Sequence, residues 1–373
     1  MGLVSNNSQN SNDFGINCMK GHVGIKQCDF FDESIKTKMF GATDILGFEN
    51  RPELLMKRCV ADFFNNGVDK KYIESFEDNC HLFFGSLYST NDVEYKFVKN
   101  KDYLYLAYKN SIYDLMKHEL GIKGAIHIVN VACASSTTAI GMAFDYIKNG
   151  MCEISIAGGL DALSIITVNN FNVLKNVSKT VINPFDKHRN GMSIGEGGAI
   201  FLLESLDHAI KRHANILCEI VSYATNNEAY GLTSPNPNGD GIYNVMVKAL
   251  KNADLMPKNI DYINAHGTGT MVNDSAEMNA IERLFGEKPI LVSSTKALIG
   301  HCMGGTGALE IASVIESMNR NQYLPMPNLT APISEKVIMK NKTFDCDIKY
   351  VIKNNFGFSG NNVSMVLKAG ENK

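Results

Sequence analysis

Three short stretches carry reactive groups among unusually small neighbours: VACASSTTAIG around Cys133, NAHGTGTMVND around His266, and SSTKALIGHCMGGTGALE, which holds Lys296 and His301. Gly, Ser, Thr and Ala let backbones approach one another closely. Cys133 stands where a β-branched run hands over to small residues of a helical pattern. A thiol at a helix N-terminus feels the positive end of the dipole and the free amides there, so its thiolate is favoured and can act as a nucleophile. An imidazole suits acyl transfer either as a base or as a neutral donor to a developing oxyanion, and two imidazoles could divide those tasks. Each of these residues alone reads more readily as a packed or hydrogen-bonded side chain. Together, in Gly-rich sequence, they point to chemistry. The rival is a zinc site built from Cys133, His266, His301 and Cys302. Adjacent His301 and Cys302 should point apart, and none of the four has the short ligand spacing of structural zinc, so no metal is expected.

The elements that must position these groups read as α/β. AIHIVNVA, EISIAGG, GAIFLLE, YINAHG and ILVSST are short apolar runs typical of buried strands. Between them TTAIGMAFDYIKNG, GIYNVMVKALKNA, NDSAEMNAIERLFG and GALEIASVIESMNRN carry helical patterns that stop near Gly or Asn. The best boundary follows FLLESLDHAIKRHANILCEI, where a helix gives way to a new strand and then to the turn-rich TSPNPNGDG. An internal echo suggests duplication: IHIVNVACASSTTAIGMAFDYI and ILVSSTKALIGHCMGGTGALEIASVI both run from a strand through small residues into an apolar helix. One delivers Cys133 and the other His301.

With 373 residues, 45% hydrophobic and 20% charged, the chain can bury a large core and hold two domains or one duplicated one. A formal net charge of -3, with Lys and Arg scattered along the chain, gives no sign of a nucleic-acid partner. The nine cysteines are dispersed and odd in number, which suits a reducing cytoplasm better than a disulfide scaffold. MGLVSNNSQNSNDFG lacks the basic start and apolar core of a signal peptide, and no apolar run is long enough to span a bilayer. Asn6 stands where a myristoylation signal needs Ser or Thr.

The motifs ACASSTTAIG, IAGGLDALS, PFDKHRNGMSIGEGGAIFLLE, NAHGTGT, SSTKALIGH and NNFGFSGNNVSMVLK, in this order, give the chain a strong resemblance to the β-ketoacyl synthases. These are the thiolase-fold condensing enzymes of fatty acid and polyketide synthesis, and the first two motifs lean toward the aryl polyene type. The resemblance implies a thiolase-like five-layer αβαβα fold of two similar halves, residues 1–217 with the cysteine and 218–373 with both histidines. It implies Cys133 as acyl acceptor, completed by His266 and His301, with Lys296 and Glu310 ordering the second histidine. Thr268 and Thr270 match hydroxyls that bind the phosphopantetheine arm, Phe356 lines the substrate site, and Asp274 supports the loop after His266. Phe358 matches a gating aromatic whose backbone amide joins that of Cys133 in an oxyanion hole.

The implied reaction loads an acyl group on Cys133, decarboxylates a malonyl thioester and joins the two, with no metal or redox cofactor. The phosphopantetheine is supplied by the partner, an acyl carrier protein. Lys187 and Arg189 are the expected contacts for that acidic partner at the tunnel mouth. A homodimer is expected; a heterodimer with a chain-length-factor-like partner, or that non-catalytic role for this chain itself, is the alternative. His301→Ala is expected to leave residual acylation of Cys133 and to lose most of the decarboxylation. Three departures stand out. GFSG puts Ser359 where a glycine is usual, with Asn361 following, which should stiffen the gate or change its timing. The start at MGLVSNN, where family members usually have a preceding strand, implies either a short start or a shortened first strand. The segment from Ser86 to Leu120 matches weakly, and its Tyr103, Tyr105, Tyr108 and Tyr113 read as packing.

Overall fold

The computed structural model describes residues 1–370 apart from 30, 32–34, 36, 46–50 and 88–110. Strand β1 (Gly2–Ser5) leads to helix α1 (Ser11–Met19), the short pair β2 (Lys26–Gln27) and β3 (Met39–Phe40), helices α2 (Arg51–Asn65) and α3 (Lys70–Glu74), and strand β4 (Cys80–Gly85). Helix α4 (Ser111–Leu120), β5 (Ile126–Val129), α5 (Ser135–Lys148), β6 (Ile154–Asp161), α6 (Ile165–Val173) and β7 (Gly197–Glu204) follow. The first sheet runs β1-β7-β6-β4-β5. After α7 (Leu206–Lys211) come β8 (Cys218–Asn227), α8 (Asp240–Asn252), β9 (Tyr262–Asn264), α9 (Met271–Phe285), β10 (Leu291–Ser293), α10 (Lys296–Ile299), α11 (Thr306–Arg320), β11 (Tyr350–Gly357) and β12 (Asn361–Ala369). The second sheet runs β10-β9-β11-β12-β8.

Alternation along the strands builds five layers. In β4, Phe83 faces inward while Leu82 and Phe84 face outward, where Leu55 and Met56 of α2 and Met116 and Leu120 of α4 cover them. In β11, Val351 faces inward and Ile352 outward, under Val245 of α8 and Ile281 of α9. Between the sheets lie α5 and α11, whose Ala139, Ala143, Ala308 and Ala312 let two helices fit side by side in one layer. Covered on both faces, β6 is buried along its whole length, which is why ISIAGGLD reads as a continuous run without polar alternation. The result is an αβαβα sandwich, and the echo between the halves is structural. The Cys133 segment enters α5 and the His301 segment enters α11, and the two helix starts touch where Ala308 N donates to Ser136 Oγ at 3.0 Å.

At the start of the sequence, Gly2–Ser5 pairs antiparallel with Gly197–Ile200. Tyr113 is half-buried and packs its ring 6.1 Å from that of Phe84, a packing role; Tyr103, Tyr105 and Tyr108 lie outside the described residues. Among the described residues no helix is long and apolar enough to cross a membrane.

Candidate active site

Cys133 sits in the tight turn between β5 and α5. Ala132 takes φ +53, a conformation that L residues seldom adopt. Ser135 Oγ clamps that turn, donating to Ala132 O at 2.6 Å and accepting from Val131 N at 3.0 Å. Gly85 and Gly159 let the first turn of α5 press onto β4 and β6, since a Cβ on either would strike Ser136. The sulfur is buried, 3.1 Å from His301 Nε2. Burial pushes the thiol up to about 12, against the downward pull of Lys296. Against the helix-terminus expectation of a ready thiolate, desolvation here outweighs the neighbouring charge and favours the thiol, facing an imidazole.

His301 follows Gly300, whose φ of +74 ends α10 abruptly. Its backbone is strapped to the other half of the molecule, His301 N donating to Ser193 O at 2.8 Å and Gly195 N to His301 O at 2.9 Å. Its Nδ1 meets Thr306 Oγ1 at 3.0 Å. His266 follows β9, and its ring lies 5.5 Å from that of His301, nearly perpendicular. Lys296 Nζ stands 3.2 Å from His266 Nδ1 and 2.6 Å from its carbonyl oxygen, while pairing with Glu310 Oε1 at 2.5 Å. An ammonium only donates, so Nδ1 of His266 accepts and Nε2 carries the proton. Thus Lys296 and Glu310 order His266 rather than His301. Burial first, and Lys296 after it, hold both imidazoles well below the usual histidine range, so both are neutral near pH 7.

The loop after His266 hangs on two buried carboxylates of α9. Asp274 accepts from Thr268 N at 3.0 Å, Gly269 N at 3.1 Å and Phe185 N at 2.8 Å, the supporting role expected of it. Glu277 accepts from His266 N at 2.8 Å and Gly267 N at 2.9 Å, a partner that sequence reasoning missed. Its signal was available: Asp274 and Glu277 are three apart and share a helix face directly after HGTGT. Burial raises Asp274 and lifts Glu277 to about 7.

Cys133, His266, His301, Thr268, Thr270, Phe356 and Phe358 all line one cleft of about 210 Å³. Thr268 and Thr270 place their hydroxyls 2.9 Å apart, and Phe356 sets its ring 5.7 Å from His266. Phe358 packs 5.6 Å from Phe171. Beside it Ser359 has φ +61 and is tied on both sides, its N–H donating to Leu232 O at 2.7 Å and its carbonyl accepting from Asn227 Nδ2 at 2.8 Å. Cys302 does not join the group, its sulfur lying 3.9 Å from Ile299 O, so the four-residue zinc set does not converge.

One of the two expected carrier contacts, Arg189, needs correction. Arg189 is buried, and its guanidinium donates to Thr270 O at 3.3 Å, Asp186 O at 2.9 Å, Met271 O at 3.0 Å and Ser275 Oγ at 2.7 Å. It fixes the start of α9 and offers no charge to a partner. Lys187 is exposed but stands outside the cleft lining. The lysine that does line the cleft is Lys175, exposed just after α6.

Two family models match: the β-ketoacyl synthase N-terminal domain over residues 64–209 and its C-terminal domain over 217–330. The 3-oxoacyl-[acyl-carrier-protein] synthase 2 of Staphylococcus aureus (strain COL) is 37% identical over 263 residues, which is 68% of this chain and 64% of the length of that relative. Among solved structures, a β-ketoacyl synthase from Burkholderia phymatum STM815 superposes with a TM-score of 0.85 at 26% identity, covering 99% of this chain and 98% of its own. A type II polyketide ketosynthase solved with its acyl-carrier protein shares the fold, with a TM-score of 0.91 at 24% identity and coverage of 99% and 98%. With both domain models in sequence order, the αβαβα sandwich and one cysteine facing two histidines across the junction of its halves, the chain belongs to the β-ketoacyl synthase family.

Proposed function

We propose that the protein joins an acyl group to a malonyl thioester by decarboxylative Claisen condensation, in fatty acid or polyketide synthesis. The observation that carries this reading is Cys133 facing two neutral imidazoles in one cleft. His301 takes the thiol proton as Cys133 attacks the acyl thioester; the C–S bond to the carrier breaks and the proton leaves with the carrier thiol. A malonyl thioester then enters. As CO2 departs, its electron pair forms an enolate, whose oxygen accepts a hydrogen bond from His266 Nε2–H. The enolate carbon attacks the acyl carbonyl, the backbone amides of Cys133 and Phe358 hold the oxyanion, and the cysteine thiolate leaves and takes a proton from solvent. The test is an equimolar yield of CO2 and a β-ketoacyl product from malonyl and acyl carrier thioesters. A chain-length-factor-like role without chemistry has no use for this constellation.

The partner is an acyl carrier protein whose phosphopantetheine arm passes Thr268 and Thr270, so the enzyme needs no resident cofactor. Lys175→Glu at the cleft mouth should raise KM for carrier thioesters by roughly tenfold while sparing a small soluble thioester; Lys187→Glu serves as the control, and equal loss on both substrates would refute the assignment. The nine free cysteines suit a reducing, cytoplasmic compartment. Strand β5 pairs with β4 and leaves its other edge without a described strand, with Ile128 44% exposed. A second copy adding there makes a homodimer. Light scattering at micromolar concentration should give twice the chain mass; a single-chain mass favours a heteromeric partner.

A further inference from the structure

Two groups beside the histidines stand outside the mechanism so far: Lys353 and Asn355, consecutive residues of one face of β11. Lys353 is fully buried, and its ammonium lies 2.7 Å from Glu310 Oε2, 2.7 Å from Asn355 Oδ1 and 2.6 Å from Asn354 O. Its three protons thus have three acceptors. Glu310 is held from both sides, by Lys296 on Oε1 and by Lys353 on Oε2. Asn355 Oδ1 accepts from Lys353 and, at 2.5 Å, from Thr137 Oγ1. That fixes the amide, because a flip would turn its NH2 toward an ammonium. Its Nδ2 is thereby aimed at Glu310 Oε2, 2.8 Å away, and at His266 Nδ1, 3.4 Å away. Burying an ammonium inside a sandwich is costly, and packing alone would be served better by an apolar side chain.

We propose that Lys353 is a positioning residue of the condensing site: acting through Asn355 and Glu310, it holds His266 as the neutral Nε2–H tautomer that donates to the enolate. The inference rests on the condensing reading above. The charged groups around His266 are Lys296 from α10, Lys353 from β11, Glu310 from α11 and Glu277 from α9, with neutral His301 opposite. Removing Lys353 leaves one ammonium against Glu310 and frees Asn355 to rotate. His266 Nδ1 then loses a fixed donor, and the site loses part of the positive field that keeps the ring neutral.

The experiment compares wild type with Lys353→Met, and with Lys353→Gln should the methionine variant not fold. Histidine labelled with 15N reports the His266 tautomer directly. In wild type it should be Nε2–H across the neutral range; in the variants, mixed tautomers and protonation at higher pH are expected. Release of CO2 from malonyl carrier thioester should fall roughly ten- to hundred-fold, with acylation of Cys133 little changed. Burial lowers Lys353 to about 8, so wild-type decarboxylation should fade above that pH, and the methionine variant should lack this limb. Unchanged imidazole signals with an unchanged pH profile would overturn the proposal, as would acylation and decarboxylation falling together. If wild type releases no CO2 the condensing reading fails, while the imidazole spectra still decide the role of Lys353.

Discussion

Cys133→Ala should carry no acyl group in an intact-mass spectrum after incubation with acyl carrier thioesters, and condensation should fall by ~10⁴-fold or more, yet malonyl carrier thioester should still lose CO2. In the proposed mechanism the sulfur facing the cleft is the nucleophile, whereas the His266 donor is fixed by Lys296 and by α9, neither of which depends on it. The protonation state gives a second reading of the same residue. With the thiol pushed up to about 12 by burial, alkylation of Cys133 by iodoacetamide should climb ~10-fold per pH unit through neutrality and into the alkaline range without levelling. A plateau near neutral pH would mean a preformed thiolate, and the helix-terminus argument would stand after all. Acyl-enzyme in the alanine variant would remove Cys133 from the mechanism.

How legible the site was depended on whether a role leaves a mark in the local chain. The turn that presents Cys133 needs small residues before and after it, and the abrupt end of α10 before His301 needs Gly300, so both advertise themselves. The strands β6 and β7 show as apolar runs because both sheet faces are covered. Charge carries no such mark. Arg189 in PFDKHRNG reads like a surface cation, and only the fold shows it spent on the carbonyls of Asp186, Thr270 and Met271. Lys353 in YVIKNNFG likewise reads as an interruption of a strand, because its acceptors on Glu310 and Asn355 come together only in the sandwich. The burial that favours the Cys133 thiol escapes the sequence for the same reason. The helix dipole is local and visible in sequence, while desolvation is the sum of everything packed around the sulfur.

The division of labour between the histidines is where the geometry most changes the expected result. His266→Ala should keep acylation of Cys133 and lose ~10²- to 10³-fold in CO2 release, since it removes one fixed donor to the enolate and touches nothing at the sulfur. His301→Ala should lose both, in contrast to the sequence expectation that acylation survives. The reason is the 3.1 Å approach of His301 Nε2 to a sulfur that holds its proton; without an acceptor there, attack on the thioester should slow by ~10²- to 10⁴-fold. In the proposed mechanism Thr306 lets one ring serve two steps. Its hydroxyl, 3.0 Å from His301 Nδ1, can accept or donate. When Nδ1–H donates to it, the Nε2 lone pair is free for the thiol proton; when the hydroxyl donates instead, Nε2–H is available to the enolate oxygen. Acyl-enzyme mass and CO2 release, measured on both alanine variants in parallel, separate these roles. Acylation at the wild-type rate in His301→Ala would return His301 to enolate duty alone, and loss of acylation in His266→Ala would exchange the two assignments.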